Sequence, residues 1–398
     1  MSGPSSQIEA PTGLGRIGVG AISTVFVLAA LVFPLLAAAI AVIYVVGLHR
    51  RGRTAAGIGA IAAVTVLFGY LNQGKAIAGD WAWYVEHYRA LEHLDLADYL
   101  GRPFGWITPA PTEPVYYSVA SVLARASHAD VGVLSWAATT LIYVPLGVAA
   151  LMLSKLLTRR VSVAAASIVV AMLCGLTFTL STQLVRQEIA ASFICLAIAL
   201  FVVRKPVVGG AALSVAILTH NSALIPAAAV VLSAFFARGD RVNAWRIIAS
   251  ALGFALLGAL YLRVSGNDSY QGKSDGAVSV FTIGLDLLIV SVFLLLARDH
   301  GWPPYTRLLA YCTPVFVGFL VGVAAQPLPF LRMYFYLEGL RALMLVVIVG
   351  LSLRNVRFRA IAITTAVVLG FLYLHMRIAN SPFEYQTGLF EAVFYSPW

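Results

Sequence analysis

Long apolar runs, each broken by a short polar stretch, fill the chain from about residue 20 to residue 376, and the breaks alternate in kind. One set carries clusters of arginine and lysine. The other carries Asp, Trp and Tyr, with the segments Gly79-Asp80-Trp81, Val185-Arg186-Gln187-Glu188, Thr219-His220-Asn221-Ser222 and Leu331-Arg332-Met333-Tyr334-Phe335. A helix needs roughly 20 mainly apolar residues to cross the hydrocarbon core of a bilayer. On that measure the pattern predicts helices over about 20–47, 55–72, 131–153, 161–180, 187–203, 207–220, 222–236, 244–262, 277–297, 307–325, 332–353 and 359–376. The expectation is an all-α polytopic membrane protein with about twelve transmembrane helices. Two segments, 207–220 and 222–236, are short for a full crossing. They predict a tilted hairpin or a pair of half-helices meeting at His220-Asn221, with Pro206 and Pro226 suited to the breaks.

The alternation of loops also sets orientation. The stretches Arg50–Arg53, Lys155–Arg160, Arg204–Lys205, Arg238–Arg246, Arg298–Arg307 and Arg354–Arg359 hold sixteen of the 27 basic residues. Basic loops stay in the cytoplasm, which places both termini and the polar motifs on the outer face. The organisation is then a disordered tail at 1–19, one transmembrane domain at 20–376 with an outer loop at 73–130, and an outer tail at 377–398. The first run is too long for a cleaved signal sequence and lacks a small-residue cleavage site, so it reads as a retained helix.

Within the outer loop, Asp80–Asp98 reads as an amphipathic helix lying along the interface. Trp81, Tyr84, Tyr88, Leu91 and Leu94 recur at helical spacing, with Glu86, Arg89, Glu92 and His93 elsewhere on the wheel. Gly101–Pro114, with four prolines, is turn-rich, and Val115–Ala124 follows as a re-entrant or interfacial helix.

Composition agrees and removes one alternative. Mean hydropathy is +0.88 and only 11% of residues are charged, whereas a soluble domain carries about a quarter. The net charge of +10 therefore reports topology and not nucleic-acid binding. Cys174, Cys195 and Cys312 all fall inside apolar runs and have no disulfide or zinc spacing. The carboxylates are scattered, so neither a metal nor another cofactor is called for.

Candidate chemistry concentrates on the non-basic side. Asp80, just after the second helix, suits a general base or a partner for sugar hydroxyls; its structural alternative is an N-cap. Glu113 is a second outer carboxylate, otherwise a solvated loop residue. Arg186, at the mouth of a helix, suits a phosphate or pyrophosphate through paired donors; its alternative is a salt bridge or headgroup contact. His220 interrupts an apolar stretch, where a polar group is costly and either structural or catalytic. Arg332 lies near the outer end of its helix. Glu338 and Arg341 are one turn apart and predict an intrahelical pair, and Asp286 stands alone in its helix. Nine aromatics between Trp81 and Tyr117 exceed what an interfacial belt requires and suit sugar stacking.

In their order along the chain these motifs resemble the EpsG family of polysaccharide polymerases, relatives of the Wzy polymerases, over about residues 75–385. Gly79-Asp80 with Tyr84 and Tyr88, Glu113-Pro114-Val115-Tyr116-Tyr117, Arg186-Gln187, His220-Asn221-Ser222-Ala223-Leu224, Arg332-Met333-Tyr334-Phe335 and Ser381-Pro382-Phe383-Glu384-Tyr385 carry the likeness. An arginine common in that family ahead of the Gly-Asp segment is replaced here by Lys75. The resemblance implies a glycosyltransferase that polymerises polyprenyl-pyrophosphate-linked oligosaccharides at the outer face of a bacterial cytoplasmic membrane. It implies Asp80, His220 and Glu113 in catalysis, and Arg186, Arg332, Gln187, Lys75, Tyr84 and Tyr334 in holding substrate. The implied partners are membrane lipid, a flippase and chain-length regulators. Rival readings are a GT-C-type transferase using a polyprenyl-phosphate sugar, whose architecture such a chain can adopt, and a lipid-glycan transporter.

Overall fold

The computed structural model describes residues 52–101, 112–239, 242–264, 280–353, 356, 358–386 and 389. The expected tail at 1–19, the helix at 20–47 and most of the turn-rich Gly101–Pro114 segment lie outside them. The described part is helical, and fifteen helices can be followed in chain order. They are α1 (Arg53–Gln73), α2 (Asp80–His93), α3 (Leu96–Gly101), α4 (Pro114–Ser127), α5 (Val131–Leu157), α6 (Val161–Cys174), α7 (Phe178–Ser181) and α8 (Val185–Val202), then α9 (Pro206–Thr219), α10 (Leu224–Phe236), α11 (Ala244–Val264), α12 (Val280–Asp299), α13 (Pro304–Val323), α14 (Pro327–Ser352) and α15 (Arg359–Ala379).

Eight of these are long and apolar enough to cross a membrane: α1, α5, α8, α11, α12, α13, α14 and α15. The run expected over 161–180 ends earlier, at Cys174. Gly175 packs against Ala342 of α14, and the chain restarts as the single turn α7. The pair expected over 207–236 is a broken hairpin. Helices α9 and α10 meet at His220 and a 3₁₀ turn at Asn221–Ala223. Pro206 is the first residue of α9 and Pro226 the third of α10, so both fall in a first turn, where the missing N–H has no intrahelical acceptor to lose. Fourteen residues of α9 rise only about 21 Å, short of the roughly 30 Å hydrocarbon core.

Burial sorts the helices. α8, α13 and α14 form the centre, with 72%, 72% and 83% of their apolar windows buried, while α11, α12 and α15 lie at the edge with 17–22%. The edge helices present Trp245, Leu252, Val280, Phe281 and Ile361 outward. That much apolar surface cannot face water in a stable monomer and matches a lipid-facing rim. Where α11 crosses α13, Gly318 and Gly322 lie directly on the backbone of Ala251 and Ala255. Such small-residue crossings replace the hydrophobic drive that is missing between helices in lipid.

The bundle has two chemically distinct ends. At one, Arg53 donates to the carbonyls of Lys155 and Thr158, Arg307 to that of Gly239, and Arg359 to that of Leu353. These side chains tie the basic connections to helix ends, where cations complement the helix dipole. The other end gathers the loops after α1, α7, α9 and α15 together with α2 and α4, and there Glu113, Arg186 and His220 meet.

Candidate functional site

Helix α2 forms the first wall. Its apolar positions Trp81, Tyr84, Val85, Tyr88 and Leu91 are buried, packing against α4, with Glu86 and Arg89 exposed as the spacing predicts. Leu94 does not join that face; it ends the helix and is 44% exposed. Its N-cap is Gly79, not Asp80. Gly79 has φ +58°, and a Cβ there would sit 3.1 Å from Gln183 Oε1 and 3.2 Å from Phe383, so only glycine fits without strain. The same Gln183 oxygen accepts the Trp81 amide at 2.9 Å, docking the helix start on the loop before α8.

Helix α4 supplies the carboxylate. Glu113 is its N-cap and Pro114 its first residue, which aims the Glu113 side chain into the bundle. Glu113 is 7% exposed and therefore not a solvated loop residue. Arg186 Nη1, on the first turn of α8, donates to Glu113 Oε2 at 3.0 Å and to Tyr117 OH at 2.9 Å. His220 Nδ1, at the apex of the α9–α10 hairpin, lies 3.3 Å from Glu113 Oε1. An ionised carboxylate only accepts, so this contact puts the imidazole proton on Nδ1 and turns Nε2 into an acceptor. Burial alone would raise the Glu113 carboxyl. The His220 hydrogen bond and the Arg186 charge outweigh it and hold the group below the usual carboxylate range.

Arg186 is otherwise enclosed by aromatics. Its guanidinium carbon stands 5.5, 6.0 and 5.6 Å from the ring centroids of Tyr84, Tyr116 and Tyr117. Its Nε–H is buried without a hydrogen-bond partner, so the guanidinium keeps donor capacity beyond the Glu113 pair. Asn221 Nδ2 donates to Thr112 Oγ1 at 2.8 Å, fastening the hairpin apex to the residue before Glu113. Behind the tyrosines, His87 pairs with Tyr99, and burial with the nearby Arg186 charge pushes its imidazole down to about 4. His87 is absent from the sequence candidates, although its place in the Tyr84-His87-Tyr88-Leu91 stripe marks it as inward.

The remaining candidates divide. Gln187 donates its amide to the main-chain carbonyl of Arg332. The exposed Arg332 side chain acts electrostatically on His220, which places it at the edge of the cluster. Asp80 is exposed on the first turn of α2, one turn before Tyr84, and no hydrogen bond or ion pair joins it to Glu113, Arg186 or His220 among the described residues. Lys75 belongs to a neighbouring clasp. Residues 74–76 pair with 384–386 through Ala76 N to Glu384 O at 3.0 Å and Gln386 N to Gly74 O at 2.8 Å. Lys75 Nζ donates to the Thr182 carbonyl and stands 4.3 Å from the Trp81 ring centroid. Those contacts favour an ammonium, yet burial dominates and pushes the amine down to about 6.

Tyr334 joins a second, deeper network. It donates to Asp286, which also binds Arg341 Nη1 at 2.8 Å; Arg341 Nη2 is 3.3 Å from Glu338. The intrahelical Glu338–Arg341 pair is thus present, and it gives the solitary Asp286 its partner. Arg341 Nε reaches Gly175 O at 2.8 Å, and Glu338 takes the Thr177 amide at 3.0 Å and hydroxyl at 2.8 Å. The network ties α12, α14 and the break between α6 and α7 together.

The fold and site define a multi-pass helical membrane protein with a buried acid–base and guanidinium cluster at the end of the bundle opposite its arginine-rich connections. The EpsG family model matches residues 58–387, and the chain belongs to that family of membrane polysaccharide polymerases. No curated protein and no solved structure matches significantly.

Proposed function

We propose that the protein joins polyprenyl-pyrophosphate-linked oligosaccharide repeat units at the outer face of the cytoplasmic membrane, building an exopolysaccharide, capsule or O-antigen-type glycan. The observation that carries this reading is the convergence of Glu113, Arg186 and His220. An imidazole oriented through Nδ1 by a carboxylate presents Nε2 as a base, the arrangement general-base catalysis needs. His220 Nε2 takes the proton from the acceptor hydroxyl as that oxygen forms its bond to the donor's anomeric carbon. The anomeric carbon–oxygen bond to pyrophosphate breaks, and the pyrophosphate leaves with the electron pair. Arg186, through its unmatched Nε–H, and Arg332 at the rim receive the added negative charge. Tyr84 and Tyr117 border the sugar site, and Asp80 takes sugar hydroxyls at the mouth. Support for His220 over Asp80 as base comes from the Glu113 contact, which Asp80 lacks.

The test is Arg186→Ala in cells lacking the native gene, followed by analysis of polymer and lipid-linked intermediates. The expected result is folded protein in the membrane, loss of polymer and accumulation of a single lipid-linked repeat unit. Polymer of normal length would overturn the role of Arg186. Products that lengthen by one sugar at a time would point instead to a single-sugar transferase.

A further inference from the structure

Glu188 follows Arg186 by two positions on α8 but turns away from the tyrosines into the bundle. It is fully buried, and neither carboxylate oxygen has a hydrogen-bond partner. Ser192, one turn further along the same face, is also fully buried with an unpartnered Oγ. Glu338 and Arg341 lie within electrostatic reach of Glu188, as do Tyr336 of α14, Tyr143 of α5 and Cys195 of α8.

No donor of these neighbours is placed on a Glu188 oxygen. Arg341 spends Nε on Gly175, Nη1 on Asp286 and Nη2 on Glu338 and Thr177. The Tyr143 hydroxyl is held by Ser181 at 3.0 Å and the Tyr336 hydroxyl by Ser222 at 2.8 Å. Three buried carboxylates, Asp286, Glu338 and Glu188, therefore share one guanidinium. Each uncompensated buried ion costs several kcal/mol, so an ionised Glu188 calls for a positive charge beyond the shared guanidinium. The unmet atoms are all oxygens, three in number. One unpaired carboxylate carries a single negative charge, so it balances a monovalent positive charge and not a divalent one.

We propose that Glu188 and Ser192 form an enclosed site for one monovalent positive charge, a proton or a sodium ion. The site lies within α8, the helix whose first turn carries Arg186, and does not depend on the reaction assigned to that residue.

Two measurements on the full-length protein in detergent test this and separate the two sources. Thermal unfolding is followed at constant ionic strength while Na⁺ replaces a large organic cation. Infrared spectra in heavy water are searched for the carbonyl stretch of a protonated carboxylic acid. For sodium, the midpoint should rise by about 3 °C per tenfold Na⁺ above the dissociation constant, and Glu188→Gln should abolish the rise. Ser192→Ala should weaken the sodium response. For a proton, the midpoint ignores Na⁺ and the acid carbonyl band is present, is lost in Glu188→Gln and is retained in Ser192→Ala. Should Glu188→Gln fail to fold, glutamate-selective ¹³C labelling of the unmutated protein identifies the band, and a band that does not shift overturns the proton assignment. Absence of both a sodium response and a glutamate acid band overturns the site.

Discussion

Removing the charge of Glu113 is the perturbation that most directly examines the cluster. Glu113→Gln keeps the side chain's shape and an oxygen able to accept from Arg186, so it removes the charge with little change in packing. At the 3.0 Å Nη1–Oε2 separation, an effective dielectric of 20 gives an attraction of about 5.5 kcal/mol. Arg186 is 27% exposed, so solvent screening takes roughly half of that, leaving about 2–3 kcal/mol. A double-mutant cycle with Glu113→Gln and Arg186→Gln isolates this quantity from the desolvation cost of either group alone. Read from thermal midpoints of purified protein, at about 2 °C per kcal/mol for a chain this long, the double variant should depart from additivity by about 5 °C. Glu113→Gln should also reduce polymer formation, because the amide no longer fixes the His220 tautomer. Additive midpoints, within about 1 °C, would refute the ion pair as the organising contact.

Further outcomes follow from neighbouring contacts. Lys75 has a folded value of about 6 against an ordinary value near 10.4, so releasing the 384–386 segment and exposing Lys75 takes up a proton between those limits. The clasp should therefore strengthen as pH rises from about 6 to about 10 and be flat below 6. Hydrogen exchange at the Ala76 and Gln386 amides, corrected for intrinsic rates, checks this, and Lys75→Met should erase the slope. Gly79→Ala places a Cβ against Gln183 and Phe383 at positive φ and should cost about 1–3 kcal/mol, seen as a lower midpoint and faster exchange at the Trp81 amide. Arg341→Met leaves Asp286 and Glu338 buried without a cation and should destabilise by about 3–5 kcal/mol. Size-exclusion profiles should then show little folded protein, with partial recovery on adding Asp286→Asn and Glu338→Gln.

The membrane class of this chain, its basic and non-basic ends and the existence of its long described helices are legible residue by residue, although the helix expected from 332 begins at Pro327. Each depends on a local quantity: the transfer free energy of a segment, or the charge density of a loop. The hairpin break at His220 is legible for the same reason, since a polar pair between two short apolar runs cannot be propagated as one helix through lipid. The pairing of Glu113 with Arg186 is different. It joins positions 73 residues apart through the packing of α4 on a neighbouring helix, and no local pattern encodes that distance. Nor does the sequence tell Arg186 from Glu188. Both lie in one helical turn, and only the neighbours of α8 decide that the first meets tyrosines at the bundle end while the second is sealed beside Glu338. Asp80 illustrates the converse: its motif stands out locally, but the turn of α2 aims it at solvent and sends Tyr84 to the guanidinium instead. Helix formation is settled within a few residues by backbone hydrogen bonds and side-chain transfer. Which face of a helix becomes chemistry depends on what other helices place against it.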